Sequence, residues 1–128
     1  MAMYEVGISA DVRARHVMPG MEGPEGVPHE HDYRIEVVVS RGELDEQGMV
    51  CDIDRLEAAL TDVLDRVRDR DLEEIKPSDA YAVTVEVLAR WAHAEIDGAL
   101  QGVSGELSIR AWESPVAFGG YAAPLNSA

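Results

Sequence analysis

The chain has 128 residues, enough for one domain with a substantial core and too few for two ordinary domains. Twenty-five acidic residues against eleven basic ones give a formal net charge of −14, so the surface repels nucleic acid and anionic lipid. We therefore predict a single domain over residues 1–128 that binds neither nucleic acid nor a membrane.

The only cysteine, Cys51, excludes an internal disulfide and is predicted to be a small core residue. No apolar stretch is long enough for a membrane-spanning helix. The N-terminal sequence MAMYEVG has neither the basic start nor the apolar stretch of a signal peptide. Together these features favour a cytoplasmic protein.

Two alternating segments near the N-terminus predict strands with one buried face. Apolar and polar residues alternate over Tyr4–His16, and they alternate again over Tyr33–Val39. Continuing the apolar phase of the second segment backwards reaches His31 and then His29. Three histidines, counting His16, are therefore predicted to face the apolar side of the sheet.

These three histidines are the first candidate site. A lone histidine on an apolar face is usually a hydrogen-bonded core residue, and that interpretation stays open for each of them. Residues i and i+2 of a strand share a face, so His29 and His31 can bind one ion, and His16 can join them from a paired strand. Three imidazoles with an open fourth position are typical of catalytic zinc, and we predict a shared zinc ion.

The segment between the two strands, residues 17–28, contains three prolines and three glycines. This composition predicts a long loop rather than a tight hairpin. The loop leads directly to His29, so we expect it to form one wall of the site.

Two amphipathic helices follow. The first is predicted from Asp54, its candidate N-cap, with an apolar face formed by Leu56, Leu60, Val63, Leu64 and Val67. Residues 68–82 are charged and irregular, and no core element is expected there. Thr84 is predicted to cap the second helix, which ends near Gly98 and Gly102. Its apolar face is Val85, Leu88, Ala92, Ile96 and Ala99, and His93 is predicted to be a surface or helix-packing residue.

The last third of the chain returns to strand alternation. Residues 107–111 alternate, and residues 116–123 form a final extended segment. The predicted fold class is α+β, a four-stranded antiparallel sheet in the order ββααββ with both helices packed on one face.

Glu113 continues the apolar phase of the third strand, and a carboxylate on a buried face requires a partner. One interpretation is a structural ion pair, for example with Arg110 or with Arg34 of a neighbour. The other is a flat ligand with two parallel N–H donors, such as the aminopyrimidinone edge of a pterin or guanine.

Several motifs lie in a specific order along the chain. They are His16 at the end of the first strand, HEHDY at 29–33, GMVCD at 48–52, VTVEV at 83–87 with Thr84 and Glu86, and AWES at 111–114 with Glu113, followed by Tyr121. In this order they resemble the 6-pyruvoyltetrahydropterin synthase and 6-carboxytetrahydropterin synthase family of tunnelling-fold proteins. The resemblance covers nearly the whole chain.

The resemblance implies a zinc-dependent lyase of folate or queuosine biosynthesis that acts on dihydroneopterin or its triphosphate. It implies zinc on His16, His29 and His31, a pterin ring anchored by Glu113, and Thr84 and Glu86 among the substrate-binding residues. It also implies trimers whose sheets close into a barrel, stacked in pairs, with active sites between subunits.

Two departures from the family affect proton transfer. Glu25 stands where the family has its catalytic cysteine, and Arg68 and Asp69 stand where it has an Asp-His pair. Members with glutamate at the cysteine position are associated with cleaving the dihydroneopterin side chain to a folate precursor. Glu25 is thus a candidate general base, with Glu22 as a nearby competitor, and Asp69 is a candidate for orienting a proton carrier.

Three functional hypotheses remain open at this stage. The first is the zinc-dependent lyase. The second is a non-catalytic protein that binds a metal and a pterin or purine after losing its proton relay. The third is a structural oligomer whose histidines bind nothing and whose acidic loop residues are only solvated.

Overall fold

Two long strands, two helices and two shorter strands follow one another in a computed structural model that describes residues 2–126. Met1, Ser127 and Ala128, which the predicted domain includes, lie outside the described residues. The elements are β1 (Tyr4–His16), β2 (His29–Arg41), α1 (Ile53–Asp65), α2 (Val85–Ala99), β3 (Glu106–Ser114) and β4 (Ala117–Pro124). One-turn 3-10 helices cover Pro24–Gly26 and Leu72–Ile75.

The four strands form one antiparallel sheet in the order β1-β2-β3-β4, so each strand pairs with its neighbour in the sequence. The predicted α+β fold is confirmed. Side chains of one parity face the helices and form the core, namely Val12, Ala14, Tyr33, Ile35, Val37, Val39, Leu107, Ile109 and Ala111. The opposite face carries ion pairs between strands, such as Arg34 with Asp11 at 3.2 Å.

One of the two predicted helix caps is present in the structure. Thr84 caps α2 as predicted, because its Oγ1 accepts a hydrogen bond from the Val87 amide at 3.1 Å. The predicted cap of α1, Asp54, is wrong: Asp52 is the N-cap and its carboxylate accepts from the Asp54 amide at 2.9 Å. The apolar stripe predicts which residues are helical. It does not distinguish Asp52 from Asp54 as the N-cap, because both are suitable capping residues that lie just before the stripe.

The charged segment after α1 forms neither a strand nor an α-helix, as expected, but it covers the outer edge of β1. The Arg15 amide donates to the Arg70 carbonyl at 2.8 Å, and the Asp69 amide donates to the Arg13 carbonyl at 2.7 Å. The expectation that this segment holds no core element is wrong for its one-turn helix, because Leu72 is 2% exposed and belongs to the core. The end of β1 is therefore covered on the side away from β2.

His93, predicted to be a surface or helix-packing residue, and Cys51, predicted to be a small core residue, are both buried. His93 is 6% exposed, lies against the Tyr121 ring, and has its Nε2 3.2 Å from the Ala123 carbonyl oxygen. Cys51 is also buried, and desolvation raises the pKa of its thiol. Both predictions are confirmed. Within residues 2–126, no helix is long and apolar enough to cross a membrane.

Gly119 on β4 lies in close contact with the start of α2. A Cβ added to Gly119 would lie 2.6 Å from Val85 Cγ2 and 3.0 Å from the Glu86 amide nitrogen. We expect Gly119→Ala to lower the free energy of unfolding by about 1–3 kcal/mol through overpacking, as measured by urea denaturation.

The matched control is Gly98→Ala, since a Cβ at Gly98 in α2 meets nothing within 4 Å. Alanine is the better helix former, so this change should add about 0.5–1 kcal/mol. A Gly119→Ala protein as stable as the unaltered chain would contradict the close contact between β4 and α2.

Candidate metal centre

The pairing register of the first two strands brings three imidazoles together. His16 is the cross-strand partner of His29, and Ala14 is the partner of His31. The ring centroids of His29 and His31 are 4.6 Å apart, those of His16 and His29 are 5.4 Å apart, and those of His16 and His31 are 6.0 Å apart. The predicted convergence of the three histidines is therefore present in the structure.

A carboxylate completes the cluster. Glu25 lies in the short helix of the loop before β2, with its Oε2 3.5 Å from His29 Nε2. The loop is held by a hydrogen bond from the Met18 amide to the Glu25 carbonyl at 2.8 Å and by one from the Tyr81 hydroxyl to the Pro19 carbonyl at 3.1 Å. Ligand atoms of His16, Glu25, His29 and His31 all lie within 4.8 Å of one another.

His16 gives the best test of whether this cluster fits a cation. It is 6% exposed, and neither of its ring nitrogens has a hydrogen-bond partner among the described residues. Burial lowers the pKa of His16, and the neighbouring His29 and His31 lower it further, against smaller opposing effects of the Val83 backbone and Glu25. A buried neutral imidazole without a partner is costly unless something binds it.

The other two histidines are oriented toward the same point. His29 Nδ1 lies 2.8 Å from the Val27 carbonyl oxygen, so it carries the proton and leaves Nε2 with a free lone pair. That Nε2 is 2.9 Å from His31 Nε2. Three imidazole nitrogens and one carboxylate oxygen directed at a common point fit a divalent cation.

A groove of about 550 Å³ lies at the end of β2 and β3, and most of its lining, such as Asp11, Arg34 and Glu36, belongs to the sheet face opposite the histidines. Tyr33, Trp112, Glu113 and Ser114 are among its lining residues, and Trp112 has a buried indole nitrogen without a partner among residues 2–126. Desolvation raises the pKa of Tyr33, and the charges of Glu113 and Glu25 raise it further.

The exposure of Glu113 differs from the prediction. The sequence placed it on a buried face, but it is exposed in this chain. The pairing of β3 with β4 is irregular between Trp112 and Ser114, where Glu113 stands without a partner in the ladder. The apolar phase therefore continues to Glu113 without burial.

Three further candidates lie outside the four-residue cluster and do not line the groove. Thr84 uses its hydroxyl to cap α2, and Glu86 is exposed in the first turn of that helix, close to Gly119. Asp69 is exposed, with its backbone amide bonded to β1. The described residues of one chain therefore do not bring Asp69 to the histidines.

Sequence analysis missed two features of the site. Glu25 was predicted as a general base, whereas its carboxylate also belongs to the group of possible ligands. Tyr33 was read only as a strand residue of the HEHDY motif, although it forms part of the groove wall. Its phase was the available signal, because it shares a face with His29 and His31.

Comparison with known proteins agrees with this geometry. The sequence profile described as 6-pyruvoyl tetrahydropterin synthase matches residues 5–124. The chain belongs to the 6-pyruvoyl tetrahydropterin synthase family. Among curated protein sequences, none matches this chain.

Solved structures share the fold at low identity. The Caenorhabditis elegans 6-pyruvoyl tetrahydropterin synthase is 22% identical, with 94% of this chain and 96% of that chain covered and a TM-score of 0.74. The Plasmodium falciparum synthase is 12% identical, with 96% and 99% covered and a TM-score of 0.76. An uncharacterized Wolinella succinogenes protein is 18% identical, with 99% and 100% covered and a TM-score of 0.68.

The buried nitrogens of His16 lead to a prediction with two opposite effects. In metal-free protein, His16→Leu should raise the free energy of unfolding by about 1–2 kcal/mol, because it removes two buried polar atoms without partners. The same variant should lose high-affinity zinc uptake. Urea denaturation after chelation and metal analysis of tag-free protein measure the two effects.

His93→Gln is the matched control, because His93 is equally buried but lies outside the cluster. It should take up zinc as the unaltered protein does. Normal zinc uptake by His16→Leu, or a loss of stability in its metal-free form, would contradict the assignment of His16 as a ligand.

Proposed function

We propose that this protein is a zinc-dependent lyase acting on a dihydropterin, either dihydroneopterin or its triphosphate. The observation that carries the proposal is the convergence of ligand atoms of His16, Glu25, His29 and His31 within 4.8 Å of one another. Membership of the 6-pyruvoyl tetrahydropterin synthase family supports it.

In this proposal His16, His29 and His31 hold the zinc ion. Borderline-soft Zn²⁺ suits imidazole nitrogen, and three protein ligands leave a position for substrate. A bound zinc ion would supply Lewis acidity, lowering the pKa of a side-chain hydroxyl of the substrate. The carboxylate of Glu25 adds negative charge that favours binding of a cation.

Glu113 would bind the pterin ring. Its side chain is exposed at the end of β3 and lines the groove, where two oxygens can accept the parallel N–H groups of an aminopyrimidinone. Such a pair orients the ring so that the side chain of the substrate points toward the histidines. Thr84 and Glu86, at the start of α2, are proposed to contact substrate as well.

Glu25 would act as the general base. Its position 3.5 Å from His29 Nε2 places it at the cluster, within reach of a hydroxyl held there. A solved variant of the Plasmodium vivax synthase replaces a glutamate, described as its catalytic residue, by alanine. That enzyme supports a glutamate base on this fold.

Asp69 is proposed to orient a proton carrier only within an assembly. Its exposed side chain can serve the site of a neighbouring chain rather than its own. β1 and β4 are the two edges of the sheet, and unpaired edges favour association between chains. We propose a trimer, or a dimer of trimers, with sites between subunits.

The proposal predicts that zinc-loaded protein turns over 7,8-dihydroneopterin or its triphosphate and that chelation abolishes this turnover. Mass spectrometry of the products measures it. Glu25→Gln should lower kcat by about 100-fold or more while pterin binding persists, because the amide cannot accept a proton. Glu22→Gln is the control and should leave kcat unchanged.

Two outcomes would count against a lyase. Tight pterin binding without turnover of either compound would favour the non-catalytic binding protein. Equal loss of kcat in Glu22→Gln and Glu25→Gln would show that loop charge, rather than a base at residue 25, affects the rate.

The proposed assembly predicts a particle of three or six times the 14.0 kDa chain mass in light scattering coupled to gel filtration. The edge of β4, the part of the β1 edge before Arg13 and the exposed Phe118 on β4 motivate this expectation. A mass of one chain at micromolar concentration would contradict it.

A further inference from the structure

The chain segment that holds two of the three histidines is acidic. Residues 17–33, which form the loop before β2 and the start of that strand, contain Glu22, Glu25, Glu30 and Asp32 but neither lysine nor arginine. The carboxylate of Glu25 lies at the cluster itself. This segment therefore gives the surroundings of the cluster a negative potential.

The fold of the loop brings Glu22 close to Glu25. The Met21 carbonyl lies so near Gly26 that a Cβ at Gly26 would have no room. The Met18 amide donates to the Glu25 carbonyl at 2.8 Å, and the Met21 amide donates to the Met18 carbonyl at 3.3 Å. Because Glu22 follows Met21 and Glu25 precedes Gly26, the two glutamates lie in neighbouring parts of the folded loop, and both are exposed.

The N-terminus of α2 also carries negative charge near the cluster. The Val83 backbone acts on the His16 imidazole, and Thr84, the next residue, is the N-cap of α2. A helix N-terminus favours an anion through its free amides and its dipole. Here the Thr84 hydroxyl accepts from the Val87 amide, and the exposed Glu86 lies in the first turn. A phosphate at this helix end would meet the carboxylate of Glu86.

The basic side chains are engaged by other groups of the chain. Within residues 2–126, every arginine and lysine side chain except that of Arg15 has a carboxylate or a carbonyl oxygen as a partner. Arg13, near the end of β1, has its Nη1 3.5 Å from Glu30 and its Nε 3.2 Å from Asp32. A polyphosphate that took such a side chain would leave like charges facing each other, which is costly.

Arg15 is the exception, and it faces away from the histidines. It precedes His16 by one residue on β1, so its side chain projects from the opposite face of the sheet. Its cross-strand partner is Glu30, whose side chain shares that face. Arg15 therefore lies across the sheet from the ligand set and beside a carboxylate.

The charge of the site separates the two candidate substrates. A triphosphate ester carries several negative charges at pH 7, whereas the polyhydroxy side chain of dihydroneopterin carries none. The charge of a bound Zn²⁺ ion is exceeded by that of Glu22, Glu25 and Glu86 together. In the proposed assembly each neighbour is another copy with a formal net charge of −14, so a second subunit at the site adds negative potential.

We infer that the substrate of this site is a dihydropterin with an uncharged polyhydroxy side chain, such as 7,8-dihydroneopterin, and that the acidic loop before β2 selects against the triphosphate. Glu22 is a specificity-determining residue in this inference, because it adds charge beside the site without serving as the base. The inference rests on the proposed function, since it requires turnover of a dihydropterin at the histidines.

The test measures kcat/KM for 7,8-dihydroneopterin and for its triphosphate at increasing salt, in a zinc buffer that keeps the site loaded. At an ionic strength of about 0.02 M, kcat/KM for dihydroneopterin should be at least about tenfold higher than that for the triphosphate. Salt screens exposed charges, so kcat/KM for the triphosphate should rise several-fold by about 0.3 M. That for dihydroneopterin should stay constant.

Glu22→Lys should raise kcat/KM for the triphosphate about tenfold at low salt and leave that for dihydroneopterin unchanged, because it reverses a charge beside the site. Glu46→Lys is the matched control. It makes the same change in net charge in the connection after β2, at the opposite end of that strand from His29. The strand spans roughly 40 Å, several Debye lengths at 0.1 M salt, so the ratio of the two kcat/KM values should not change.

The outcomes separate the inference from the proposed function. A kcat/KM for the triphosphate equal to or above that for dihydroneopterin would overturn the inference and leave the lyase intact. Equal shifts of the ratio in Glu22→Lys and Glu46→Lys would do the same, and so would a selective loss of triphosphate turnover in Arg15→Gln. Turnover of neither compound by the zinc-loaded protein would overturn the proposed function and the inference with it.

Discussion

The pairing register of β1 with β2 is the constraint on which the site depends. It sets His16 opposite His29, and it places His31 and Tyr33 on the same face. Because side chains alternate between faces, a slip of one residue would turn these groups toward the opposite face. The core specifies the register, since the same slip would expose Val12 and its apolar neighbours. One pattern of apolar residues therefore holds both the fold and the ligand set.

The site imposes a cost on this core. His16 occupies a position where an aliphatic residue would pack without any polar atom to satisfy, and both its nitrogens are buried without a partner in the described chain. A cation shared with His29 and His31, as proposed, would give His16 the partner that it lacks. Burial also lowers the pKa of the His16 imidazole, which favours the neutral form that binds a metal.

Much of this architecture follows from sequence periodicity, because burial on one face imposes alternation on strands and a stripe on helices. The convergence of the histidines was predictable for the same reason. Periodicity does not determine where burial ends, so Glu113 was predicted to be buried although it is exposed at an irregular end of β3. Periodicity also does not predict which residues of different strands are neighbours. The position of Tyr33 between His31 and Glu113 follows only from the β2–β3 register.

The central claim is that three imidazoles share one cation, and zinc X-ray absorption spectroscopy on tag-free, zinc-loaded protein tests it most directly. The account predicts one zinc ion per chain with His16, His29 and His31 as ligands, seen as three imidazole nitrogens at about 2.0–2.1 Å. Zinc uptake well below one ion per chain, or a first shell with no more than one imidazole, would contradict it.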